Sequence, residues 1–170
     1  MRIFSLVLVI ILVSGCTSTY QQDILTEAST KLLRDKSIAI AIPKDGRYEE
    51  IVYANSAAMT ADAIKIAFTP YSHDISILTK CHDIHCLKNQ VSPAYDYLVL
   101  PEILHWEDRA TEWSGKLDRI TIKISIFDGN NKFEKASVQI KGTSKSATFG
   151  GDHPQDLLQE PLNGYIKSLY

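Results

Sequence analysis

Prolines and glycines are sparse, six and eight in 170 residues, and none of them gathers into a Gly/Ser/Pro-rich stretch. That excludes a flexible linker between lobes, and no repeat or low-complexity tract is present either. The length suits a single domain. An excess of one charge sign is also missing. Lys and Arg number 18 against 20 Asp and Glu, a net charge of -2, which excludes a general polyanion binder and so nucleic acid as a partner. There is no Gly-rich phosphate loop, no nucleophile elbow and no His-Glu-x-x-His metal motif. No cofactor is implied, and a non-enzyme is expected. What is present is an ordinary globular composition, 45% hydrophobic and 22% charged, which excludes wholesale disorder.

Only one long apolar run exists, Ile3 to Val13, preceded by a single charge at Arg2. It is too short for a mature membrane span and fits the apolar core of a signal peptide over residues 1–15. It ends in Val13-Ser14-Gly15-Cys16, which resembles the bacterial lipobox. Small residues before the cysteine let an extended backbone enter the peptidase cleft. The resemblance implies cleavage before Cys16 and lipidation there. Each acyl methylene buried contributes roughly 0.8 kcal/mol, so several chains make a stable anchor. Residue 17 is Thr rather than Asp. By resemblance to the sorting rule of Gram-negative lipoproteins, that implies the periplasmic face of the outer membrane.

Cysteine is scarce, three in all. With Cys16 lipidated, Cys81 and Cys86 remain, in Cys-His-Asp-Ile-His-Cys. An oxidising compartment favours a local disulfide. Free thiols are a second reading. A metal site using His82 and His85 with both thiols is a third, although four ligands from six residues close a tetrahedron poorly.

Hydrophobic periodicity predicts the elements. Residues 16–36 read as a lipidated tether passing into a helix, with Ile24, Leu25, Ala28, Leu32 and Leu33 on one stripe. A single α/β domain over 37–170 follows. Ser37 to Ile42 reads as a central strand, apolar on both faces, and Lys44-Asp45-Gly46-Arg47 as a turn. A helix is expected over 57–68, capped by Ser56 or Thr60 and ended by Pro70. Asp74 to Leu78 is a weak strand, and Cys81 to Asn89 a short helical or irregular segment. Asp96 to Trp106 reads as an inner strand, with Tyr97, Val99 and Ile103 on one side and Leu98, Leu100 and Leu104 on the other. Pro101 removes a ladder donor and predicts a bulge or the loss of one neighbour. Ile120, Ile122, Ile124 and Ile126 alternate with polar residues, Asp128-Gly129-Asn130-Asn131 is turn chemistry, and Ala136, Val138 and Ile140 alternate on the return: a hairpin. Pro154 and Pro161 suit first helical turns, and Leu158, Leu162, Tyr165, Ile166 and Leu169 supply a final apolar face. The sum is a mixed α/β (α+β) sheet with helices mainly on one face, ending in a hairpin and a helix. This order is similar to a fold of envelope lipoproteins: the curli secretion channel lipoprotein, penicillin-binding-protein activators, and the N-terminal domain of the Tol propeller protein.

Two phrases stand out. Leu104-His105-Trp106-Glu107-Asp108-Arg109-Ala110-Thr111-Glu112-Trp113-Ser114-Gly115 concentrates two tryptophans, three carboxylates and an arginine, and Thr148-Phe149-Gly150-Gly151-Asp152-His153-Pro154 follows. With Lys44-Asp45-Gly46 and the final Leu169-Tyr170, they resemble a family of uncharacterised proteobacterial lipoproteins, a domain of unknown function. That resemblance implies no activity. In plain strand register Trp106 and Asp108 share one face, Glu107 and Arg109 the other. An aromatic plane beside carboxylates suits a sugar ring, and peptidoglycan lies beside such an anchor. Trp106, Glu107, Asp108, Arg109, Glu112, Trp113, Asp152 and His153 are therefore the candidate binding surface. Glycosidase chemistry would need two facing carboxylates, such as Glu107 with Glu112 or Asp108 with Asp152, one of them with a raised pKa. The structural alternative pairs Arg109 with Glu107 or Glu112, lays the tryptophans over a sheet edge, and uses Asp152 as a helix cap. The expected role is a non-catalytic module for an envelope protein partner or for self-association. The rival reading is a glycan binder or hydrolase.

Overall fold

The computed structural model describes residues 17–91, 95–109, 116–145 and 153–170. Signal-peptide and lipidation expectations at residues 1–16, and those at Glu112, Trp113 and Asp152, lie outside the described residues. Eight strands, β1 to β8, are described. β1 (Thr19–Thr26), β2 (Ile38–Ala41), β5 (Ile75–Leu78), β6 (Tyr97–Glu107), β7 (Arg119–Asp128) and β8 (Glu134–Thr143) form one sheet in the order β1-β8-β7-β6-β2-β5. β3 (Arg47–Tyr48) and β4 (Ile51–Val52) make a small separate hairpin. β2 runs parallel to both β5 and β6, and the other pairs in the large sheet are antiparallel. The mixed α+β sheet anticipated from element order is thus the architecture.

The alternating isoleucines explain the hairpin. Ile120, Ile122, Ile124 and Ile126 pair with Gly142, Ile140, Val138 and Ala136 and are all buried. They face helix α1 (Ser56–Phe68) and helix α3 (Gln159–Leu169), which supply Ala61, Ile64, Phe68, Leu162, Tyr165 and Ile166 to the same core. The opposite face carries a smaller core of Ala39, Ala41, Leu98 and Phe127. It is covered by Cys81 from the loop after β5, by Ile84 and Cys86 of the short helix α2 (Ile84–Cys86), and by Leu87 of the π-helical turn Leu87–Val91. β2 is buried at all four positions because it separates these two cores.

The N-terminal segment differs from expectation. The predicted helical stripe over 16–36 is a strand from Thr19, paired antiparallel with β8 from Thr19↔Thr143 to Thr26↔Ser137. A short isolated helix is marginal in water, whereas β8 would otherwise present an unpaired edge. Pairing a whole strand edge outweighs a weak local preference. Ile24 and Leu25 are consequently half exposed and Leu33 is exposed, whereas of the predicted stripe Leu32 is buried in the core and Ala28 packs against it.

α1 is capped from a distance. Asn55, before its first residue, is in the left-handed region (φ 72°) and gives no side-chain cap. Asp45 Oδ1 instead accepts from Ala57 N–H at 2.9 Å, while Ser56 Oγ accepts from Gly46 N–H at 2.7 Å. Thr60, the other expected cap, donates its hydroxyl to the Ser56 carbonyl inside the helix. At the other end of the chain, His153 occupies the cap position before the 3-10 turn Pro154–Leu157, its N–H donating to Asp156 Oδ2 at 2.9 Å.

Pro101 has both consequences nearby. β2 pairs with β6 only from Tyr97 to Val99. Tyr97 N–H donates to Ser37 O, on the β2 side. Alternation therefore turns the Pro101 nitrogen to that side too, where no strand remains to receive a donor. The irregularity lies three residues on: Ile103 pairs with Ile122 and His105 with Thr121, leaving Leu104 as a bulge.

Candidate functional site

The bulge decides which way the Trp106 segment faces. Strict alternation would place Trp106 with Leu98 and Leu100. One inserted residue reverses the parity, so Trp106 opposes Ile120 and joins Ile103 on the helix-covered face. It is 2% exposed. Gly46 closes over it: a Cβ at Gly46 would lie 2.4 Å from Trp106 Cβ and 2.8 Å from Ile103 Cγ2. The indole is core, so the sugar-stacking plane anticipated at Trp106 is not at the surface.

Glu107, 1% exposed, is the buried charge of the site. Its Oε1 accepts from Arg109 Nε and ion-pairs with the same guanidinium. Its Oε2 meets His105 Nε2 at 3.2 Å. Tyr48 closes the group: Arg109 Nη2 donates to its hydroxyl at 3.3 Å, the guanidinium lies 5.4 Å from its ring centre, and its ring meets His105 edge-on at 5.2 Å. Burial pushes the Glu107 carboxyl up, but the His105 and Arg109 hydrogen bonds and charges outweigh it, and the group sits below its ordinary value. The same partners act in reverse on Arg109, where burial is opposed and exceeded by Glu107. This is a carboxylate held ionised and saturated with donors, the opposite of a general acid poised to give a proton.

The flanking groups are structural in the same way. Arg109 N–H donates to Asp118 Oδ1 at 2.6 Å, and Asp118 N–H donates to Ser144 Oγ at 2.9 Å. Tyr53 OH reaches the Asp108 carbonyl at 3.4 Å, and His153 Nδ1 lies 3.9 Å from Asp108 Oδ2. The structure thus brings together Trp106, Glu107, Asp108, Arg109 and His153, and the pairing of Arg109 with Glu107 is one of those anticipated. His105, Tyr48 and Asp118 were not singled out as site residues. The i, i+2 spacing of His105, Glu107 and Arg109 was the available signal for the first.

Cys81 and Cys86 form a disulfide with Cα atoms 5.5 Å apart. Both sulfurs are therefore engaged, and His82 turns elsewhere, its Nδ1 3.1 Å from the Ile42 carbonyl. Among the described residues no group of three or more His, Cys, Asp or Glu side chains is placed to hold a metal ion. No described helix is long and apolar enough to cross a membrane.

Comparison with solved structures returns the same fold at low identity. The PelC dodecamer from Paraburkholderia phytofirmans has a TM-score of 0.55 and 14% identity, covering 89% of this chain and 91% of that one. Protein XCC0632 from Xanthomonas campestris, of family DUF330, has a TM-score of 0.53 at 12% identity, covering 85% and 89%. Lipoprotein GNA1162 from Neisseria meningitidis has a TM-score of 0.50 at 12% identity, covering 78% and 99%. No curated protein matches the chain. Residues 30–169 match the model of a domain of unknown function, DUF4823, and the chain belongs to that family.

Proposed function

We propose that the protein is a lipoprotein, anchored through Cys16 to the periplasmic face of the outer membrane, whose domain is a non-catalytic binding and accessory module for an envelope protein partner. The observation that carries this reading is the short distance from the lipobox cysteine to the sheet: β1 begins at Thr19, three residues beyond Cys16. At about 3.3–3.6 Å per extended residue, such a tether reaches only about 10 Å. It holds one end of the sheet against the bilayer and concentrates the module for partners in that thin layer. That GNA1162, of similar fold, is a lipoprotein agrees with it. The saturated Glu107 agrees with a role other than glycoside hydrolysis.

Copies of the same chain are one such partner. β1 is an edge strand with half-exposed Ile24 and Leu25, a geometry open to strand addition, and the similar PelC structure is a dodecamer. The test is metabolic labelling with a radioactive fatty acid, followed by crosslinking in intact cells. Label in the wild type and none in Cys16→Ser, with a discrete crosslinked envelope protein or oligomer, is the expected result. An unlabelled wild type would refute the anchor. A labelled protein that crosslinks to nothing but binds purified peptidoglycan would replace the module reading with the glycan one.

A further inference from the structure

The large sheet has two open sides. Among the described residues no strand lies beyond β1 at one side or beyond β5 at the other. The backbone groups each side presents follow from the ladder. Tyr97 N–H donates to Ser37 O, so the odd residues of β6 turn their polar groups to β2 and the even ones to β7. Carried through the registers of β7 and β8, this alternation turns Gln21 and Asp23 of β1 to β8, and Gln22 and Ile24 outward. On β5, Asp74 O accepts from Ile38 N–H, so Ser76 and Leu78 face β2 while Ile75 and Ile77 face outward. Side chains keep the same parity. Gln22 and Ile24 pair with Ile140 and Val138, and Ile75 and Ile77 pair with Ile38 and Ile40, so all four lie on the face of the larger core. Three antiparallel steps separate β1 from the parallel group β6, β2 and β5, so β1 runs opposite to β5.

We propose that copies of this chain assemble edge to edge, β1 of one against β5 of the next, in an antiparallel ladder that continues the sheet. Two copies held in the same orientation present these strands to each other in opposite directions. With Ile24 opposite the next copy's Ile75, and Gln22 opposite its Ile77, outward N–H and C=O groups meet outward ones and the larger-core face stays continuous. Ile24, 49% exposed in the single chain, is then covered by an isoleucine. Asp23 falls opposite the next copy's Ser76 and one diagonal step from its Asp74, and it brings its own cation, Lys141 at 3.0 Å. Orientation selects this pairing over a two-fold one. Pairing β1 with β1, or β5 with β5, turns one copy end for end. The eight residues of β1 extend about 26 Å at ~3.3 Å each. A tether reaching about 10 Å cannot return the upended copy's Thr19 end to the same bilayer. The contact of β1 with β5 is heterologous: each copy keeps one edge for a further neighbour, so assembly proceeds to a closed ring or an open filament.

This inference deepens the self-association reading: the exclusion of two-fold pairings rests on the anchor, and the match of the two edges does not. The test is sedimentation of detergent-solubilised full-length protein in density-matched buffer. Gln22→Pro and Ile77→Pro each remove one outward N–H and spare the bonds to β8 or β2. The wild type is expected as an oligomer and each variant alone as a monomer. Equal mixing of the two variants should give dimers and nothing larger, because one intact β1 edge then meets one intact β5 edge. A dimer of Ile77→Pro alone would mean β1 against β1, and a dimer of Gln22→Pro alone β5 against β5. Either result overturns the proposal, as does a monomeric wild type. Should Ile77→Pro lose the circular dichroism of the fold, Gln22→Pro diluted together with wild type and reconcentrated decides the matter. It can only end a chain of copies, so the mean mass of the assembly must fall, and an unchanged mass refutes the pairing. None of these readouts uses the lipid, and fatty-acid labelling of Cys16 tests the anchor separately.

Discussion

Replacing Trp106 with alanine distinguishes a core residue from a surface platform. The side chain is 2% exposed, between Ile103, Ile120 and the backbone of Gly46. A tryptophan hides roughly 150–250 Å². At about 25 cal/mol per Å² that amounts to about 4–6 kcal/mol, an upper bound because the unfolded chain is already partly collapsed. Alanine keeps some of this burial, but Gly46 has no side chain to fill the void, so the cavity penalty remains. The loss expected for Trp106→Ala is therefore about 3–5 kcal/mol. Against a total stability of about 5–15 kcal/mol, that is a large fraction. Urea unfolding followed by far-ultraviolet circular dichroism measures it, since that signal does not depend on the removed indole. Trp106→Phe should fall between the two. A loss under about 1 kcal/mol for the alanine variant would refute the burial argument.

Gly46→Ala tests the same packing from the other side. The added methyl has no room beside Trp106 Cβ, and the variant should lose about 1–3 kcal/mol; an unchanged urea midpoint would contradict the close approach. Glu107 predicts an acid dependence. Its folded value lies below the ordinary 4.5, so its ionised form adds stability above about pH 4.5, and that stability is lost as pH falls through the folded value. Glu107→Gln should flatten that part of the stability curve, and an unaltered slope would show the carboxylate is not the source. Reducing the Cys81–Cys86 bond, or replacing both cysteines with serine, should cost about 2 kcal/mol at most for so small a loop. A much larger loss would mean the bridge supports more than the α2 segment. At alkaline pH, burial holds Tyr165 up at about 12. Stability should fall as pH rises from 10 to 12, where the unfolded chain ionises first; Tyr165→Phe should shrink that fall, and Tyr170, also held up by burial, supplies a remainder.

The hairpin, β2, α1 and α3 were legible because each carries its own period. Four isoleucines two apart can hide only as a half-buried strand, and apolar residues on both faces of Ile38–Ala41 require two cores. The pairing of Arg109 with Glu107 was legible as one of two choices, Glu112 being the other, from opposite charges close in sequence. The strand at Thr19–Thr26 was not. Its selection rests on the open edge of β8, more than a hundred residues away, and no local pattern encodes that edge. Nor was the burial of Trp106. Pro101 announced an irregularity, but the parity of everything after it depended on which residue bulged. The matching edges were equally invisible: β1 and β5 are far apart in sequence, and only the strand order sets them at the two sides of one sheet.

The amino-acid order by itself determined the element types beyond the N-terminal segment, the sheet with its helices and the lipobox-like leader, because these follow from periodicity and short-range chemistry. Tertiary structure alone decided the strand neighbours beyond the hairpin, the faces that Trp106 and Glu107 occupy, and which two strands are left as edges. Those depend on contacts between distant segments, and a single inserted residue can invert them.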